Sequence, residues 1–314
     1  MQQAHNHCNE HHHHHHHHGE SRLVIALFLT CVYMVVEAVG GFVFNSLALL
    51  ADAGHMLSDV VALALSLAAI KIGNKSPTER HTFGFRRTEI LAALANGLAL
   101  WAIVVLIFFE AVHRFYSPQP VQGGGMLLIA GVGLGINAVM ALLLFSSRHE
   151  SLNIKGAFVH VISDALGSLG AIVAAVIILQ TDENRVDPAV SILVGCLIVY
   201  SSWSLIRESL HILMEGVPAG LNIHDMEQAV INQDGVCCIY DLHVWTIGAD
   251  QRALSAHVVV SDPDWDRSEL LKRLNRLFAE EFNVTHTTIQ IEPTHEIRSE
   301  SEYPVCREGT ACKI

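Results

Sequence analysis

His55-Met56-Leu57-Ser58-Asp59 and His160-Val161-Ile162-Ser163-Asp164 repeat one pattern: a histidine, two apolar residues, a serine and an aspartate. Each lies inside a long apolar run. An α-helix turns about every 3.6 residues, so positions i and i+4 stack on one face. Each segment thus presents an imidazole nitrogen and a carboxylate in one direction. Two such helices facing each other offer two nitrogens and two oxygens, a complete tetrahedral shell for a divalent cation. Ionisable groups at mid-membrane are expensive and usually line a substrate or ion route. The two segments therefore read as a metal-ion pathway through a bilayer.

A lone His-x-x-x-Asp on a soluble helix would mean little. Here it occurs twice, in apolar helices with no Lys or Arg in either central stretch, and two buried carboxylates need a positive partner. Two imidazoles with two carboxylates suit zinc, with cadmium or cobalt also compatible, whereas magnesium and calcium favour oxygen-only shells. Imidazole must lose its proton to bind metal, so metal capture expels protons and protonation releases metal. With alternating access around a midplane site, this gives proton-for-metal exchange. An intramembrane metalloenzyme would need an open coordination position and a general base such as that of His-Glu-x-x-His, a motif the chain lacks. A secondary active transporter, not an enzyme, is expected; a passive metal channel or a membrane metal sensor is the alternative.

The 314-residue chain is 51% hydrophobic and 16% charged, too apolar for an ordinary soluble protein. Six apolar runs reach the roughly 20 residues that cross about 30 Å of hydrocarbon. They are expected from about Leu23 to Phe44, Leu47 to Ile72, Glu89 to Phe115, Met126 to Ser147, Leu152 to Leu179 and Pro188 to Leu213. The first follows no short basic segment and no small-residue cleavage site, so it reads as a span, not a signal peptide. Lys71, Lys75, Arg80, Arg86 and Arg87 follow the second span and Arg148 and Lys155 follow the fourth, against Arg114 and Arg185 opposite. That asymmetry places the basic loops and both termini in the cytoplasm, with the chain multi-pass in an inner or plasma membrane.

Within the spans, Asp52 falls on a face similar to that of Asp59 and would line a route into the site. Asn96 and Asn137 read as helix–helix hydrogen bonding. For Glu37 and Glu110 both readings stay open. Gly131-Val-Gly-Leu-Gly135 follows no strand and is a packing surface, not a dinucleotide fingerprint.

The division expected is residues 1–21, a His-rich disordered cytoplasmic segment; 22–215, the six-helix membrane domain; 216–296, an αββαβ domain; and 297–314, a polar tail with Cys306 and Cys312. The octahistidine His11–His18 reads as either an expression tag or, with His5, His7 and Cys8, a loose metal collector. After Gly216 the expected elements are a helix over 223–233, strands over 237–247 and 253–260, an amphipathic helix over 268–282 and a strand over 287–292. In the first strand, Tyr240, Leu242, Val244 and Thr246 share a face. From Val217 onward 16 acidic residues face 8 basic ones, which argues against a nucleic-acid partner. The seven cysteines show no disulfide framework, which suits a reducing side for both termini.

Several stretches carry a family resemblance: Ser46-Leu-Ala-Leu-Leu-Ala-Asp-Ala-Gly-His-Met-Leu-Ser-Asp59, His81-Thr-Phe-Gly-Phe-Arg-Arg87, Leu152-Asn-Ile-Lys-Gly-Ala157, Leu213-Met-Glu-Gly-Val-Pro218, Asp241-Leu-His-Val-Trp245 and Thr288-Ile-Gln-Ile-Glu292. Together they resemble the cation diffusion facilitator family, in its zinc-transporting branch of bacterial zinc, cadmium and cobalt exporters and related zinc transporters. The resemblance spans about Arg22 to Glu292. It implies a homodimer of six-span subunits with a metallochaperone-like cytoplasmic αββαβ domain. It also implies Zn2+/H+ antiport at His55, Asp59, His160 and Asp164. Further zinc on the cytoplasmic domain would fall to His257 and Glu292, joined by Cys306 and Cys312 and by His5, His7 and Cys8 of a neighbouring subunit. Tyr240, where some relatives have histidine, and the wide cysteine spacing depart from that pattern. For His243 and His286 a ligand role and an ordinary surface or strand role both stay open.

Overall fold

The computed structural model describes residues 17–145, 152–248, 251–262 and 265–293. Of the sequence-predicted ligands, Cys306 and Cys312 lie outside the described residues, as do His5, His7, Cys8 and all but the last two residues of the octahistidine.

Six long helices come first: α1 (His17–Val43), α2 (Leu47–Gly73), α3 (Thr88–Tyr116), α4 (Gly123–Phe145), α5 (Leu152–Thr181) and α6 (Val186–Leu213). Five of them, α2 to α6, are long and apolar enough to cross a membrane; the described apolar part of α1, Phe28–Val43, is shorter. The remainder is α7 (Ile223–Ile231), β1 (Val236–Gly248), β2 (Gln251–Val260), α8 (Arg267–Phe282) and β3 (His286–Pro293). The fold is thus a helical membrane protein carrying a small α+β domain. Two compact units divide it: residues 1–61 with 99–201, and residues 62–98 with 202–314.

In the first unit the start of α2 is fixed group by group. A helix leaves its first four N–H groups without internal acceptors. Here the Asp187 carboxylate of α6 accepts from Leu47 N at 2.7 Å and Ala48 N at 3.2 Å. The cap residue Ser46 serves the next two, through Oγ to Leu49 N at 3.3 Å and its carbonyl to Leu50 N at 3.3 Å. Ser46 Oγ itself donates to Asp187 at 2.7 Å. The preceding turn passes through Asn45 at φ 54°, a left-handed conformation that asparagine tolerates. Arg114 donates to the Asn45 carbonyl at 2.9 Å, tying α3 to the same turn.

Packing then sets how α2 meets α5. Ala48, Leu49 and Met56 of α2 share a buried cluster with Ala171, Ala174, Ala175 and Ile178 of α5. Small residues let helix backbones approach closely where lipid offers no hydrophobic drive for association.

In the second unit the sheet order is β1-β2-β3, with β1 antiparallel and β3 parallel to β2. The parallel pair needs a crossover, which α8 provides. Asp266 caps α8 by accepting from Ser268 N and Glu269 N, and Asn283 ends it in a left-handed conformation. Met226 and Val230 of α7 and Leu270, Leu274 and Phe278 of α8 pack with Ile239, Val244, Leu254, Ala256 and Val258 of the sheet.

One expectation needs correction here. Tyr240 does not share a face with Val244: it packs with Cys237, Cys238 and Val259, while Val244 lies in the helix-covered core. The cause is a bulge between Tyr240 and His243, where Asp241 takes φ 52° and the extra residue reverses the alternation. In addition, Cys237 and Cys238 are disulfide-bonded, buried at the irregularity that opens β1.

Replacing Asp187 with Ala should leave two N–H groups of α2 without acceptors and cost about 1–2 kcal/mol. Thermal melting of the purified protein in detergent measures this. Wild-type melting in Asp187→Ala would show that the α2 start does not depend on the carboxylate.

Candidate metal centre

α2 supplies His55 and Asp59, and α5 supplies His160 and Asp164, each pair one helical turn apart. All four converge in the first unit. His55 Nε2 lies 3.7 Å from Asp59 Oδ2 and 3.9 Å from Asp164 Oδ1. His160 Nε2 lies 3.3 Å from Asp59 Oδ2 and 3.5 Å from Asp164 Oδ2. The imidazole rings stand edge to face, centroids 5.7 Å apart. One ligand atom each from His55, His160 and Asp164 fall within 4.8 Å of one another. Asp59 Oδ2 lies within 3.7 Å of both histidines.

These separations can be compared with what a metal requires. Zinc holds nitrogen and oxygen ligands at about 2.0–2.2 Å, so the edges of its tetrahedron are roughly 3.3–3.6 Å. The two distances from His160 fall within that range, and the two from His55 exceed it by 0.3 Å at most. They are mostly too long for hydrogen bonds, and His55 Nδ1, Asp59 Oδ2 and Asp164 Oδ1 are buried without a hydrogen-bond partner. A cluster of acceptors with idle lone pairs, in helices without a nearby Lys or Arg, suits a cation in its midst.

Asp164 is buried, His55 mostly so, and Asp59 and His160 are half-exposed. A cavity of about 260 Å³ lies beside the cluster, lined in part by Asp52, His55, Ser163, Asp164 and Gly167. Asp52 therefore borders the cluster, as its position on the α2 face suggests. A Cβ on Gly167 would come within 3.2 Å of Asp52 Oδ1, so the bare α5 backbone makes room for that carboxylate.

On the cytoplasmic-type domain, His257 Nδ1 lies 2.9 Å from Glu292 Oε1 and Tyr240 OH donates to Glu292 Oε2 at 2.6 Å. The Tyr240 ring stacks on His257 with centroids 4.8 Å apart. The bulge also turns Asp241 toward this face, 4.0 Å from His257 Nε2 and 2.9 Å from His243 Nε2. His286 instead meets the Phe83 ring edge-on. Sequence reasoning paired His257 with Glu292, but it missed Asp241 because nothing local announces the bulge.

Burial opposes charge on Glu292, yet hydrogen bonds from Tyr240, His257 and Gln290 outweigh it and hold the carboxyl below its usual range. Burial and then the Glu292 carboxylate push the Tyr240 hydroxyl up to about 12. A lowered folded-state value means stability present above the ordinary carboxylate range and lost as pH falls through the lower, folded one. Tyr240→Phe should therefore cost about 1.5–3 kcal/mol at neutral pH and start acid unfolding at higher pH. Melting curves against pH report both; a variant curve that overlays the wild type would remove this hydrogen bond from the stability account.

Comparison with known proteins bears on the whole chain. Residues 23–214 match the family profile of the cation efflux transmembrane domain, and residues 218–294 match that of the cation efflux protein cytoplasmic domain. A protein named zinc transporter ZitB, from Pectobacterium atrosepticum, is 43% identical over 92% of this chain and 89% of its own length. One named cadmium, cobalt and zinc/H(+)-K(+) antiporter, from Bacillus subtilis, is 42% identical over 86% and 88%. The solved metal-bound C-terminal domain of the CzcD transporter from Cuprividus metallidurans aligns with 23% of this chain and 99% of itself, at 30% identity and a TM-score of 0.22. With two family domains in tandem over nearly its full length, this chain belongs to the cation efflux family of divalent-metal transporters.

Proposed function

We propose that the chain exports zinc from the cytoplasm in exchange for protons, with cadmium and cobalt as further substrates. His55, Asp59, His160 and Asp164 are the ligands for the transported ion. The observation that carries this is the convergence of two imidazole nitrogens and two carboxylates from facing helices at spacings close to the edges of a zinc tetrahedron. The names of the relatives support zinc as substrate and proton exchange as the driving process. The basic residues after α2 and α4 support cytoplasmic termini. The family of the cytoplasmic domain supports a homodimer.

Exchange follows from the donor set. A free imidazole titrates near pH 6.5, so the same nitrogen accepts a proton or a metal within the physiological range, never both. Binding from the cytoplasm displaces protons, and protonation from the outer side ejects the metal. A second zinc position at His257 and Glu292, with Cys306 and Cys312, is proposed for the cytoplasmic domain. There a metal would have to draw Glu292 or His257 out of their mutual contact, so binding would reorganise the outer sheet face.

The test is zinc flux into vesicles reconstituted with a pH gradient, wild type beside His55→Ala and Asp164→Ala. Wild-type flux should follow the gradient. Since even outer-sphere changes weaken metal sites about 10–100-fold, losing a ligand should lower flux at least that far in both variants. Flux indifferent to the gradient would make the protein a passive conductor, and zinc binding without flux would make it a sensor.

A further inference from the structure

Five basic residues, Lys71, Lys75, Arg80, Arg86 and Arg87, fall between the last turn of α2 and the start of α3, and the exchange reading uses them only for orientation. The segment that carries them is folded. Thr78 and His81 pair through their backbones at 3.0 and 3.1 Å. Gly84 then turns at φ 74°, a left-handed conformation open to glycine, and donates to the His81 carbonyl at 2.9 Å. Thr88 Oγ1 closes the loop by donating to the Phe85 carbonyl at 2.6 Å. The end of β1 fits against it: a Cβ on Gly248 would come within 2.8 Å of Arg86 Cβ.

Within the second unit this loop borders a cavity of about 500 Å³. Arg80, Arg86, Arg87, Phe83, Phe85 and Trp245 line much of it. The acid in its wall, Glu215, is already engaged, accepting from Arg87 at 2.9 Å. Among the described residues, no acid pairs with Arg80 or Arg86. A guanidinium fork matches the oxygens of a phosphate, so two unpaired forks on one cavity call for that anion. Position decides which phosphate. Both flanking helices, α2 and α3, are long and apolar enough to cross a membrane, so their connection lies at its surface. Trp245 comes from the segment that matches the family's cytoplasmic domain, and anionic lipids give the cytoplasmic leaflet its negative potential. Phe83 and Leu91, which also line the cavity, are half-exposed apolar side chains. A phospholipid divides in the same way, into an anionic phosphate and apolar chains, whereas a soluble phosphate leaves the apolar half unused.

We propose that the cavity of the α2–α3 loop binds an anionic phospholipid, with the phosphodiester on Arg80 and Arg86 and the start of the acyl chains along Phe83 and Leu91. Arg87 keeps its bond to Glu215 and closes one wall. Lys71 and Lys75, nearer α2 in the sequence, add attraction to an anionic membrane surface without belonging to the cavity. The loop thus recognises a lipid, a task separate from setting the orientation of the chain.

The experiment uses the full-length protein in detergent, with phosphatidylglycerol and phosphatidylcholine as probes and native mass spectrometry counting bound lipid. The wild type should retain phosphatidylglycerol in preference to the zwitterionic lipid. Each basic side chain at an anionic surface contributes roughly fivefold in affinity, so Arg80→Gln combined with Arg86→Gln should weaken phosphatidylglycerol binding about 30-fold. Arg276→Gln, on α8 and outside the cavity, should leave it unchanged. Glycerophosphoglycerol, the same headgroup without its chains, should not displace the lipid. Equal retention of the two lipids by the wild type would overturn the proposal, and that comparison stands if the double variant fails to fold. Undiminished phosphatidylglycerol binding in the folded double variant would overturn it too. Displacement by glycerophosphoglycerol would make the cavity a site for a soluble phosphate and remove the lipid assignment. No arm of the test involves zinc, so its failure is distinct from failure of the exchange reading.

Discussion

A carboxylate in hydrocarbon must have positive charge beside it, and this membrane domain places several acids in its helices without matching Lys or Arg. That constraint organises the first unit. Asp187 meets the positive end of α2 through two backbone N–H groups, the most economical cation a helical bundle contains. Asp59 and Asp164 have two imidazoles and room for a dication. Glu37 has the Tyr33 hydroxyl on one of its oxygens. The start of α2 and its candidate metal ligands thus meet one electrostatic demand in different ways.

The long elements were legible because they depend on local pattern. Uninterrupted apolar runs marked the helices to within a few residues, with Pro118 and Pro120 breaking the chain between α3 and α4. The spacing of His55 from Asp59 and of His160 from Asp164 fixes shared faces by helical geometry alone, so the candidate site could be written down from the sequence. Its closure could not. That required α2 and α5 to approach through Ala171, Ala174 and Ala175, which local pattern records only as small residues.

What the sequence hid has a common physical character. The Ser46–Asp187 contact joins positions 141 residues apart, and no periodicity links them. Glu37 stayed ambiguous because its meaning depends on which side chain it faces. The β1 bulge was invisible because its positive-φ residue is Asp241, not glycine, so nothing flagged a break in the alternation. One extra residue there moved Tyr240 from the expected face to the one bearing His257 and Glu292.

The division of ligands between two helices also has a mechanical meaning. Each of α2 and α5 carries half of the candidate coordination shell on its own rigid backbone, and neither half can hold a metal firmly alone. Sliding or tilting one helix by about an ångström stretches the shell without breaking any hydrogen bond within either helix. Affinity at the centre thereby becomes a gauge of helix separation, and anything that alters the spacing between α2 and α5 tightens or loosens the grip on the ion. The anchoring of α2 at Asp187 then acts as the fixed end of that gauge, so that movement is felt where the ligands are and not at the turn.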